Sequence, residues 1–562
     1  MSQPLTSGIP RRHDLDALRA IAMLLGIALH AALGFAPIPW IVQDVQQSEG
    51  FYVFFSVLHG FRMPLFFLIS GFFTAMLWRK RGLTALLKHR TKRVFLPCML
   101  GLVTIIPLLN YVSGIAVKSQ ASQTAAESKD GSKTIWAAAW SGDLASLQQL
   151  IDNDKSLDAQ QPGTGQTPLS LAVIQNHPEA VALLLKAGAN PNETVADGTP
   201  PLHYAAILGC SEVAAELFDA GANVEATTAD GKGLEEMLNL DWATTQFITG
   251  LMGIEVDRKE LEAGRSLIAE RLGDSVTVQK NPPAKEAIGA VIILLFAMPV
   301  FHHLWFLWFL CWLVCAFVVY AAIMDAFNIE RTPAWLTSSP LRYLWLIPLT
   351  LLPQAVMGLQ FPTFGPDTSV GLLPIPQVLF YYAIFFGFGA MYFDCHDDEG
   401  RLGRRWWFTL PLSLLVLFPL GFEFTTGSFG FADALAPQAY HRLLSVILQA
   451  TFAWTMTFAC MGMFRRLLHH ESRVMRYVSD SSYWLYVAHL PLVVALQFVI
   501  RDWQLPALFK FLLLCTVTSG LLLLSYQTMV RYTWIGRLLN GPRQRPEPIL
   551  EAKLIETPQT QT

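Results

Sequence analysis

The sequence predicts an all-α protein: a polytopic membrane helix bundle of about ten spans, interrupted by an inserted α-solenoid. Three observations carry this. Hydrophobic residues make up 53% of the 562 positions and charged residues only 15%, against about 25% charged in soluble domains. Charge is also segregated. Residues 118–283 hold 23 acidic and 11 basic residues, leaving 20 acidic and 29 basic residues for the remainder. Finally, one 33-residue unit recurs within that acidic segment. This composition excludes a disordered, collagen-like or disulfide-stapled secreted chain, and the net charge of −3 gives no ground for a nucleic-acid partner.

A spanning helix needs roughly 20 mostly apolar residues. Ten segments qualify: 15–36, 51–78, 94–116, 303–326, 341–360, 376–393, 406–424, 442–464, 482–500 and 506–530. Cytoplasmic loops collect Lys and Arg. Here the segment before the first span, loops 79–93, 401–405 and 465–476 and the C-terminal stretch are basic, whereas 37–50, 361–375 and 425–440 contain no Lys or Arg. Arg501 is an exception, and Arg442 borders another. The alternation places both termini in the cytoplasm and the insert, which follows an outward third span, on the other side. The stretch 286–301 is apolar for too few positions to span, and is expected to be re-entrant or interfacial. Asp16 and Arg19 within the first apolar run argue against a cleaved signal peptide. The expected domains are 1–117 (three spans), 130–283 (insert with linkers), 284–540 (the remaining spans) and 541–562 (a disordered cytoplasmic tail).

The insert repeats without gaps. Gly165–Asp197 aligns with Gly198–Asp230, Leu169 with Leu202, Ala172 with Ala205, and Gly188-Ala189-Asn190 with Gly221-Ala222-Asn223. A related unit precedes at 134–160 and a degenerate one starts at 231–241. The TPLHxAA-like signature and the period resemble the ankyrin repeat. That resemblance implies a docking surface for a protein or glycan partner, with a passive spacer as the plainer reading.

Ionisable residues within spans are expensive and mark functional sites by default. In the first span Asp16, Arg19, Gly26 and His30 fall on one helical stripe, with about 16 Å between Arg19 and His30 at 1.5 Å per residue. His59 and Arg62 lie in the second span, His303 opens the fourth and His489 lies within the ninth, near Tyr486 and Ser482. These histidines are expected to converge on a cavity. No metal-binding spacing accompanies them, so no metal is expected. The string 394–399 (DCHDDE) is expected to be a solvated loop, and the seven cysteines, with no C-x-x-C pair, to be small buried hydrophobes.

Four segments carry a wider resemblance: HDLDALRAIAMLLGIALH with its R-x10-H spacing, FRMPLFFLISGFF (61–73), HLWFL (303–307) and SSYWLYVAHLPL (481–492). Together they resemble the acyltransferase-3 family of membrane O-acyltransferases, leaning to its glucan-modifying branch. The resemblance implies a multi-pass bacterial inner-membrane enzyme with no bound cofactor, embedded in membrane lipid. It would move an acyl group, acetyl or succinyl, from cytoplasmic acyl-CoA to a hydroxyl of an extracytoplasmic glycan acceptor. It implies His30 as general base, with Arg19 and Asp16 as its catalytic companions and His59, Arg62, His303 and His489 around the substrates. Two other readings stay open on the residues alone: a glycan or lipid transporter or flippase, and a membrane scaffold acting through the repeats.

Overall fold

The computed structural model describes residues 12–541, apart from 128–133, 154–155, 162–164, 196–197, 229–230, 253, 274–282, 330–331, 360–361 and 398. The expected tail thus lies outside the described residues save Gly541, as do Arg11, Arg543 and Arg545 of the basic segments, Arg331 of the loop after the fourth span, and Asp398. All regular structure among the described residues is helical.

Among the described residues, eight helices are long and apolar enough to cross a membrane. One of them, 68 residues over Glu49–Ala116, holds two of the expected spans. The basic segment 79–93 is helical where a loop is expected. The chain runs from Glu49–Arg90 through a π-helical turn, Thr91–Phe95, into Leu96–Glu127. Gly82, at φ 77°, breaks the rod, a left-handed conformation that glycine adopts without a Cβ clash. The expected span at 341–360 is helical over only Arg342–Gln354. The spans therefore number about ten, as expected, with one shorter than a full crossing. Leucines such as Leu344, Leu352, Leu415, Leu508 and Leu524 are exposed on the outside of the bundle. Such a surface has no partner in water and fits a multi-pass membrane protein.

The first span (His13–Leu33), the second (Glu49–Arg90), the eighth (His441–Leu467) and the ninth (Arg473–Ile500) pack around one core. The second span lies closely along Pro376–Asp394. A Cβ on Gly71 would fall 1.9 Å from the Phe386 carbonyl oxygen, and one on Gly389 equally close to that of Leu68. The two backbones touch, the usual device by which small residues let membrane helices approach. At the basic end Arg79 pairs bidentately with Asp394, 3.0 and 2.9 Å, and lies over the Trp78 ring. Asp394 is buried, which corrects its reading as part of a solvated loop. Asp397 accepts hydrogen bonds from the Tyr392 hydroxyl and from the Arg401 and Leu402 amides, so it caps the turn.

The stretch read as re-entrant or interfacial forms a short helix, Pro283–Ile292, with a π-helical turn over Ile293–Ala297. Its Ile288, Val291, Ile292 and Leu294 are exposed. Backbone hydrogen bonds from Leu373 to Leu295 and from Phe301 to Val370 tie it to the loop before Pro376.

The insert is a solenoid of helix pairs: Ile135–Ser141 with Leu144–Asn153, Pro168–Ile174 with Pro178–Lys186, Pro201–Leu208 with Ser211–Asp219, and the degenerate Leu234–Leu238 with Trp242–Met252. Thr167 starts its helix with a reciprocal cap: its hydroxyl accepts from the Ser170 amide, and the Ser170 hydroxyl accepts from the Thr167 amide. Asn190 and Asn223, 33 positions apart, each donate a backbone N–H to the preceding repeat, to Asp158 and Asn192 respectively. A closing helix, Arg258–Leu272, buries Arg265, which donates to the Ala206, Ile207 and Leu240 carbonyls and the Thr245 hydroxyl. Cys210 is buried, and burial pushes its thiol up to about 12, so it is inert. Of the other cysteines, Cys98 and Cys460 are buried as expected, whereas Cys315 is exposed.

The Gly71–Gly389 contact yields the first prediction. Gly389→Val should lower the melting temperature of the detergent-solubilised protein, because overpacking a tight contact costs about 1–3 kcal/mol or more. An unchanged melting temperature would mean that the two spans are not held this closely.

Candidate functional site

The first span sets the site out by helical period. Arg19, Met23, Gly26 and His30 succeed one another along one face, each about a turn from the last, so one helix reaches from the basic end of the bundle into the opposite half. Gly26 leaves room for the next component. A Cβ there would fall 2.3 Å from a guanidinium nitrogen of Arg62 on the second span, so any larger residue would push that guanidinium from its present position.

His30, His59, Arg62, His303 and His489 line one cavity of about 300 Å³, together with aromatic residues such as Trp40, Phe55 and Trp305. The expected convergence of the histidines is therefore found. The His30 and His489 rings are 4.9 Å apart, and those of His303 and His489 5.3 Å. Arg62 has no carboxylate partner among the described residues: one amino group reaches the Met63 sulfur at 3.7 Å, and its Nε is buried without an acceptor.

Backbone carbonyls assign the tautomers. His489 Nδ1 donates to the Tyr486 carbonyl at 2.7 Å, leaving Nε2 as a lone pair. That lone pair faces His30 Nδ1 at 3.1 Å, while the Gly26 carbonyl lies 2.9 Å from the same nitrogen. Both neighbours are acceptors, so the proton of neutral His30 belongs on Nδ1 and its Nε2 carries the lone pair. His30 is half-buried, whereas His303 and His489 are buried. All three line the cavity, and His30 is the most exposed of them. His303 Nε2 donates to the Val487 carbonyl at 3.0 Å, and the Tyr486 hydroxyl to the His303 carbonyl at 2.5 Å, which fixes the fourth span to the ninth. His59 Nε2 donates to Pro366 and its ring stacks on Phe55.

Arg19 and Asp16 lie elsewhere. Asp16 pairs with Arg19 at 3.6 Å, and Arg19 donates to the Ser479 hydroxyl at 2.8 Å. Arg19 lines a second cavity at the basic end, of about 390 Å³, with His89, Arg90 and Arg93. Arg90 donates to the Thr74 hydroxyl, and its Nε is buried without an acceptor. Arg93 donates to the Leu539 carbonyl, which brings the helix Trp534–Asn540 against this cavity. The two cavities adjoin: Met23, Phe66, Phe306 and Tyr486 line both.

Two contributors carry no local signal in the sequence. Trp40, on the loop after the first span, stands over His30, with ring centroids 6.1 Å apart, and donates to the Gln497 side chain at 3.0 Å. Gln497 in turn donates to the His30 and Ala31 carbonyls. The same loop is anchored by Asp44, which pairs with Lys510 at 2.6 Å in a buried ion pair. Lys510 also donates to the Trp503 carbonyl at 3.0 Å.

An acyltransferase-3 family model, described as an acyltransferase domain, matches residues 12–147 and 280–526. A model of ankyrin repeats in three copies matches residues 135–228. Curated relatives include the "Glucans biosynthesis protein C" of Salmonella paratyphi B, of Salmonella enteritidis and of Salmonella agona, each 40% identical over 100 residues. That stretch is 18% of this chain, and the chain spans about a quarter of the length of these relatives.

The Asp44–Lys510 pair generates a prediction about the loop above His30. Lys510→Met leaves a buried carboxylate unpaired and should destabilise the protein by about 3–5 kcal/mol. Combining it with Asp44→Leu should recover most of that loss. Equal melting temperatures for the single and double variants would show that the pair does not hold the loop.

Proposed function

The chain belongs to the acyltransferase-3 family, and on that premise we propose that it moves an acyl group, acetyl or succinyl, from cytoplasmic acyl-CoA to a hydroxyl of an extracytoplasmic glucan. The observation that carries this reading is the end-to-end arrangement of the two cavities, one bearing arginines and the other a histidine whose Nε2 is its lone-pair nitrogen. Neither a transporter nor a scaffold needs that juxtaposition. The relatives' name supports a glucan acceptor. Trp40, Phe55 and Trp305 offer flat apolar faces of the kind on which sugar rings pack.

The donor enters from the basic face. Arg90 and Arg93, with Arg19 nearby, meet the CoA phosphates, since guanidinium groups pair with phosphate bidentately. Asp16 holds Arg19 in place. The acyl thioester then lies beside His30 and Arg62. His30 Nε2 takes the proton of the acceptor hydroxyl as that oxygen attacks the thioester carbonyl carbon. Arg62 steadies the developing oxyanion. The carbon–sulfur bond breaks, the acyl ester forms on the sugar, and the imidazolium returns its proton to the CoA thiolate. His489 and Gly26 hold His30 in the required tautomer and orientation, and His59 and His303 shape the acceptor side. Both termini face the cytoplasm of a bacterial cell and the protein lies in its inner membrane, so the repeats lie on the acceptor side. There they serve as a docking surface for a protein or glycan.

The test is acylated glucan measured at equal protein levels in His30 variants. His30→Ala should lose about 10²–10⁴ in rate, the usual worth of a general base. His30→Gln keeps a hydrogen-bonding side chain but accepts no proton, and should fall nearly as far. Wild-type acylation by His30→Gln would make His30 a structural residue and remove the mechanism.

A further inference from the structure

The boundary between the cavities has its own chemistry. Met23, Phe66, Phe306 and Tyr486 come from the first, second, fourth and ninth spans, and each lines both spaces. Three of the four are held. The Phe66 and Phe306 rings lie 5.7 Å apart, and Phe306 meets Tyr486 edge-on at 5.8 Å. Tyr486 is in turn fixed through its hydroxyl to the His303 carbonyl. Phe66 and Phe306 are buried. Met23 is half-buried, and no hydrogen bond or ring contact fixes it among the described residues. An unbranched thioether with three rotatable bonds is the most adaptable of apolar side chains. It lies one turn from Arg19 and two turns, about 10 Å, from His30. It lines both the arginine cavity and the cavity of His30.

We propose that Met23, Phe66, Phe306 and Tyr486 form a neck that selects acyl donors by cross-section, with Met23 as its movable side. The inference rests on the donor reading given above. The cysteamine and β-alanine units at the thiol end of the CoA arm form an unbranched chain about 10 Å long, so a neck that admits them, with the branched pantoyl unit left on the arginine side, also admits a straight acyl group. A branch at the carbon next to the carbonyl widens the group where it must pass three fixed rings. The neck thus discriminates between straight and branched acyl groups of equal carbon number, which a limit set by cavity volume alone would not do.

The experiment compares kcat/KM for butyryl-CoA and isobutyryl-CoA with a glucan acceptor, using the full-length protein in detergent. Wild type should prefer the straight isomer. Met23→Ala should raise the isobutyryl-to-butyryl ratio by about 10-fold or more, the discrimination typical of one methylene in an apolar pocket. Phe66→Leu, which keeps most of the buried volume, should move the ratio the same way and guards against a Met23 variant that fails to fold. A ratio that neither folded variant moves, in an enzyme that does use acyl-CoA, overturns the neck alone. Wild-type protein that transfers from no acyl-CoA, acetyl-CoA and succinyl-CoA included, overturns the donor reading and the neck with it.

Discussion

Everything in the membrane part depends on one constraint: hydrocarbon offers no partner for a polar group. His30, His59, Arg62, His303 and His489 must therefore turn inward and find their hydrogen bonds within the bundle. The backbone supplies most of them, through the carbonyls of Gly26, Pro366, Tyr486 and Val487. Those bonds orient the rings and assign their protons at once. Arg62 is the exception. Its guanidinium has no carboxylate partner among the described residues and faces a glycine on the neighbouring helix, and in the proposed mechanism it meets the charge that appears during reaction.

The same constraint explains the long helices and the close backbone contacts. Polar groups in the membrane interior demand a bundle tight enough to exclude lipid. The touching backbones at Gly71 and Gly389 provide that tightness beside the site. Ion pairs are placed at the ends rather than the middle: Arg79 with Asp394 at the basic face, and Lys510 with Asp44 at the other. The second of these holds the loop that carries Trp40 above His30.

Much of this was legible in the sequence where a local period carries it. The 33-residue repeat and the helical stripe from Asp16 to His30 follow from spacing alone, because each lies within one element. The convergence of His59, Arg62, His303 and His489 was legible because charge within an apolar run has few places to go. The basic segment 79–93 looked like a loop because basic residues mark membrane boundaries, yet no proline interrupts it, and its helix is broken at Gly82 and passes into a π-helical turn at Thr91. Asp394 looked solvated because its partner, Arg79, lies 315 positions earlier. The neck was invisible for the same reason: Met23, Phe66, Phe306 and Tyr486 are ordinary apolar or aromatic residues until four separate spans bring them together. Trp40 and Gln497 likewise meet only across the folded bundle.

The central claim is that donor and acceptor approach His30 from opposite faces of the membrane. Proteoliposomes holding the protein with its basic face outward, with glucan trapped inside and labelled acyl-CoA supplied only outside, test it directly. The account predicts label on the trapped glucan, with free CoA appearing outside. Label reaching glucan only when both substrates share one side would contradict it.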